Sequence, residues 1–224
     1  RTISKMRIWI AALVVAGVGW CQGPHRLEIL LERREGSSWK VVDPGLVLER
    51  DDRVRFRAKA NFSGWLYVMN RSTSGKYTLL FPTGEAGEKN RLEAERQYLV
   101  PATQGAFRIT GPAGQEIVYW LISPVEVEKE REYVPLPPPP KPGPAPPNMT
   151  PRCDDTVMRA RGACVDTTAG AKPITEKGQA PANLAARAQT TSPEVMFLRQ
   201  QNASVVTAPA TAGPVIFEFR LAHK

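Results

Sequence analysis

The 224-residue chain carries 30 Lys and Arg against 22 Asp and Glu, for a formal charge of +8, with 21 prolines and 3 cysteines. At this length one ample domain or a compact domain with appendages would fit; the prolines are about twice the usual share and cluster, which favours the second. The charge is uneven: residues 22–134 hold 17 basic and 16 acidic side chains, so the part that reads as folded is almost neutral, which argues against a nucleic-acid-binding domain.

Residues 1–22 read as a secretory signal peptide. Arg1, Lys5 and Arg7 stand without any acid before an apolar run from Ile8 to Trp20. That run has 13 residues, well short of the ~20 helical residues a bilayer core requires. Both Arg1 and Met6 stand as starts. Cys21 ends the run, and its removal with the leader competes with its acylation as a lipoprotein cysteine. The bulk of Trp20 before it favours removal. Membrane attachment is expected only if Cys21 is lipidated.

Residues 23–134 read as a β-sandwich domain. "RLEILLER" sets Leu27, Ile29 and Leu31 against Glu28 and Glu32, and Asp43-Pro44-Gly45 marks a turn. "VRFRAKA" alternates strictly, with Val54, Phe56, Ala58 and Ala60 on one face and Arg55, Arg57 and Lys59 on the other, Arg53 leading in. Trp65–Asn70, Tyr77–Phe81 and Ile117–Ser123 are apolar on both faces, as in strands covered from two sides. The fold class expected is all-β, an antiparallel two-sheet β-sandwich (Ig-like or jelly-roll-like) of eight to ten short strands.

Residues 135–150 form a proline-rich linker, with "PLPPPPKPGPAPP" suited to a semi-rigid polyproline II spacer. Residues 151–213 are Thr/Ala/Gln-rich and read as a largely disordered excursion, tied by one disulfide between Cys153 and Cys164. Residues 214–224 alternate Val215, Phe217 and Phe219 against Ile216, Glu218 and Arg220. A lone strand cannot stand in water, so this one is expected to return to the sandwich as an edge strand.

No constellation for catalysis, cofactor or metal emerges. His25 and His223 lack a nucleophile-elbow pattern, and "TGEAGE" and "GPAGQE" lack the Lys-Ser/Thr ending of a phosphate loop. Asp154 and Asp155 lack the further oxygens that calcium needs. The face of Arg53, Arg55, Arg57 and Lys59 suits a polyanion, or an outer surface neutralised by Glu28 and Glu32 of a neighbouring strand. Phe62 and Trp65 are expected as exposed aromatic tips beside it.

"DRVRFRAKANFSGWLYVMNRSTSGKYTLLFP", "NRLEAERQYLVPA" and "EIVYWLIS" together resemble the bacterial domain of unknown function 4384 family over about residues 25–124. The resemblance implies a sensory or binding accessory, because family members are often secreted or appended to kinase or caspase-like domains. The function expected is an exported, non-catalytic binding or scaffolding module of the bacterial cell envelope, periplasmic or extracellular, without a cofactor. Its partner would be a protein or an envelope polymer and not nucleic acid. The alternatives are an adaptor that assembles, as a homo-oligomer for example, by exchange of its last strand, and a cryptic hydrolase.

Overall fold

Apolar alternation in the sequence becomes strand faces in the computed structural model, which describes residues 23–82, 90–101, 105–124, 138–142, 150–174, 180–186, 194–211 and 213–224. Residues 1–22, expected as a leader and holding Cys21, and most of the proline-rich stretch lie outside the described residues.

β1 (His25–Glu35) and β2 (Ser38–Val42) form a hairpin across a two-residue turn in which Gly36 takes a φ of +59°. β3 (Arg53–Ala60) follows, then β4 (Gly64–Arg71), β5 (Tyr77–Phe81), β6 (Arg91–Leu92), β7 (Gln97–Val100), β8 (Phe107–Arg108) and β9 (Gly114–Ser123). Beyond the linker come α1 (Thr156–Ala160), β10 (Gly170–Lys172), α2 (Ala182–Ala185), β11 (Met196–Gln200), β12 (Ala203–Ala208) and β13 (Val215–His223).

Two antiparallel sheets result. The seven-stranded sheet runs β11-β12-β1-β3-β7, with β2 beside β1 and β8 beside β3. The six-stranded sheet runs β10-β13-β9-β4-β5, with β6 beside β4. β4 starts so close to the end of β9 that a Cβ on Gly64 would lie 2.2 Å from the Ser123 carbonyl oxygen, and only glycine fits there.

The space between the sheets holds the main core. Leu27, Ile29 and Leu31 of β1 and Val54, Phe56 and Ala58 of β3 face Leu66 and Val68 of β4, Val118 and Trp120 of β9, and Phe217 and Phe219 of β13. Phe56 is its hub, edge-on to Trp120 at 5.4 Å and to Phe219 at 4.9 Å between ring centroids. A second apolar cluster lies on the far side of the six-stranded sheet. There Tyr67, Met69, Ile117, Tyr119, Leu121 and Ile216 pack under Leu184, with Ile174 and Ala180 beside them. These cover residues explain why β4 and β9 are apolar on both faces.

The structure corrects the reading of residues 151–213 as largely disordered, since β10, β11 and β12 belong to the sheets and α2 covers one of them. The Cys153–Cys164 disulfide, with its Cα atoms 4.7 Å apart, closes a loop around α1. The loop is docked by Val47 N donating to the Cys164 carbonyl at 2.9 Å and by Asp166 N donating to the Gly45 carbonyl at 2.8 Å. β13 pairs with β9 over nine positions and with β10 on its other side, so it is an interior strand rather than the expected edge.

Candidate functional site

The outward face of β3 is where the basic candidates meet their neighbours. Register sets Glu32 opposite Arg55 and Glu28 opposite Lys59. Glu32 is 0% exposed and takes both arginines: Arg55 Nε donates to Oε2 at 2.6 Å, and Arg57 Nη2 pairs with Oε1. The Arg55 guanidinium also lies 4.2 Å from the centre of the Trp39 ring. Lys59 pairs with Glu95 at 2.6 Å, while Glu28 turns to Arg26 at 3.4 Å. Three of the four cations therefore have an anionic partner in place, Arg55 and Arg57 sharing the single charge of Glu32. Arg53 is exposed, makes no ion pair among the described residues, and lies in register with Arg108 of β8.

Phe62 is not an exposed tip. It is 7% exposed, belongs to the main core and packs at a tilt against the His25 ring, with centroids 4.7 Å apart. Asn61 is the cause: its Oδ1 accepts from Arg26 N at 2.7 Å and its Nδ2 donates to the Pro24 carbonyl at 3.0 Å, folding the β3–β4 connection back over β1. Trp65 is half-buried within β4, flanked in register by Ser123 and Arg91. The two histidines have different surroundings: His25 packs on Phe62, and His223 lies by Glu116 and Leu48. Asp154 accepts from Thr167 N and Oγ1 at 2.8 and 2.9 Å, and Asp155 caps α1.

One end of the core is polar, a feature that sequence reading missed. Asn70, Glu116 and His223 continue the inward-facing stripes of β4, β9 and β13, in phase with Val68, Val118 and Leu221. Asn70 Nδ2 donates to Glu116 Oε2 at 2.6 Å, Thr73 N donates to Oε1 at 3.5 Å, and His223 Nε2 lies 3.8 Å from Oε1. The visible signal was a polar residue at an apolar phase on three separate strands. Glu116 and His223 are 6% and 1% exposed and sealed from solvent, with Asn70 partly buried beside them. A further buried carboxylate, Glu218, accepts from Arg220 Nε at 2.6 Å on the outer side of the six-stranded sheet. Nearby, burial pushes the Tyr119 hydroxyl up to about 12.

Burial raises the Glu116 carboxyl above its ordinary range and lowers the His223 imidazole below its own. The neutral imidazole stabilises the fold above its unfolded pKa near 6.5, and this is lost as pH falls through that value and the lower folded one. The neutral carboxyl favours the fold below its unfolded value of about 4.5, and this is lost as pH rises through the raised folded value. Glu116→Gln should therefore stabilise the protein at pH 7.5, by on the order of 1 kcal/mol, with the gain fading towards pH 4. Urea unfolding of both proteins across that range checks the sign.

Residues 47–126 match the family model described as "Domain of unknown function (DUF4384)". No curated protein and no solved structure matches the chain. The matched span holds β3 to β9, and with them Arg53, Trp65, Asn70 and Glu116; β1, β2 and β10 to β13 lie outside it. This chain carries a DUF4384 domain over residues 47–126, and strands on either side of that span complete both of its sheets.

Proposed function

We propose that the protein is a non-catalytic binding or scaffolding module of the bacterial cell envelope, working outside the cytosol through the outer face of its seven-stranded sheet. The observation that carries this reading is the division of its ionisable groups. Glu116 and His223, which converge, are sealed in the interior, whereas Arg34, Arg53 and Arg108 stand exposed on an outward sheet face. The Cys153–Cys164 disulfide suits an oxidising compartment, as does the cationic and apolar leader in the sequence. No described helix is long and apolar enough to cross a membrane. Assembly by strand exchange draws less support, since β13 is already paired on both sides within its own chain.

The test is co-sedimentation or titration of the purified protein with anionic envelope polymers at increasing salt. Binding that weakens steeply between roughly 50 and 500 mM NaCl supports a charged contact face, because screening acts over about 10 Å at 0.1 M. Failure to bind any such polymer at low salt removes the proposal.

A further inference from the structure

Resting on the binding-module reading, we propose that Arg34 and Arg53, flanked by Arg108, form a subsite for a phosphodiester group of a soluble anionic polymer. The β1–β3 register places Arg33 opposite Val54, so Arg34 falls opposite Arg53 one step along, and the β3–β8 register places Arg108 opposite Arg53. Cross-strand neighbours share a face, so three arginines stand side by side on three adjacent strands, with their backbones about 5 Å apart from strand to strand. Trp39 extends the row, opposite Arg34 on β2.

Like charges placed directly opposite one another destabilise a sheet. Elsewhere on this face the cost is met by Glu32, Glu95 and Glu28. In the row it is not. Arg108 has Asp51 at 2.8 Å, with both side chains more than half exposed. Arg34 Nε donates to the Gly36 carbonyl at 3.1 Å, and Arg53 has no ion pair among the described residues. Two adjacent cations thus have no ion-pair partner among the described residues.

Between them lies a hollow of about 400 Å³, lined by Arg34, Gly36, Asp51, Asp52 and Arg53. Its two carboxylates are already engaged: Asp51 with Arg108, and Asp52 with Glu49 N at 2.9 Å and Arg33 at 3.8 Å. Their charge disfavours a dense multivalent anion and suits a group carrying one negative charge. A carboxylate can also take one guanidinium on each oxygen, as Glu32 does with Arg55 and Arg57, but its two oxygens lie close together in one plane; the tetrahedral phosphodiester holds its two non-bridging oxygens farther apart, which suits arginines reaching in from different strands.

The experiment titrates the intact, disulfide-bonded protein with soluble poly(glycerol phosphate). Poly-glutamate and vesicles containing phosphatidylglycerol serve as parallel probes. The Arg34→Gln/Arg53→Gln double variant should bind the phosphodiester polymer at least about tenfold more weakly, while Arg26→Gln on the same face stays within about twofold. Exposed substitutions of this kind leave stability nearly unchanged, and matching unfolding midpoints verify that. If the double variant binds as well as the unaltered protein, the subsite is overturned and the module reading survives. Equal binding of poly-glutamate overturns the preference for phosphate, and binding to vesicles alone overturns the soluble polymer as its source. An unaltered protein that binds none of the three removes both readings.

Discussion

A chain ending at Gly213 is expected not to fold. The deletion removes β13, which lies between β9 and β10 and pairs with β9 from Val215 to His223. Val215, Phe217, Phe219 and Leu221 bury their side chains between the sheets, each 2% exposed or less. A fully buried side chain of this size contributes ~1.5–3 kcal/mol, so four of them match the ~5–15 kcal/mol that holds a whole domain together. The loss would also open one edge of β9 and leave β10 without its partner. Near-ultraviolet circular dichroism should lose the signal of the buried Trp120, and urea unfolding should lose its cooperative transition. A truncated chain that keeps both would show that the nine-position pairing is dispensable.

What could be read from the residues depended on whether one local period carried the information. In β3 a strict alternation predicts which side chains are buried, and Val54, Phe56, Ala58 and Ala60 are all inside. The doubly apolar β4 and β9 were legible as central strands, but their second cover was not, because Leu184 and Ile174 come from a stretch with no period of its own. The β11–β12 hairpin was hidden for a different reason. Its turn puts Gln201 at a φ of +51°, a conformation for which Gln gives no signal, and its strands sit in Ala- and Thr-rich sequence. The candidate site divided along similar lines. The basic face of β3 was visible, and so was its neutralisation by Glu32; the row of Arg34, Arg53 and Arg108 was not, because it exists only through the registers of three strands far apart in sequence.

Phe56→Ala should be the most damaging single substitution tested in β3. Phe56 is 0% exposed and touches aromatic rings from both sheets: Trp120 and Phe219 across the core, and Phe107 beside it at 5.6 Å. Truncation forfeits the transfer energy of the ring and leaves a cavity that large, rigid neighbours cannot collapse to fill, at a cost of about 3–5 kcal/mol. Loss of favourable edge-to-face geometry adds to this. Phe56→Leu keeps most of the volume and should cost less than half as much. Urea midpoints would read the difference, with an unchanged slope if the unfolded state is unaffected. A loss below about 1 kcal/mol for Phe56→Ala would mean that the two sheets do not meet at this ring. The substitution also separates fold from function. Phe56 points inward and Arg53 outward on the same strand, so Phe56→Leu should lose stability while the folded protein keeps its affinity for a phosphodiester polymer. Arg34→Gln/Arg53→Gln should lose affinity while keeping stability, and that opposition is what a contact face carried on a sealed body requires.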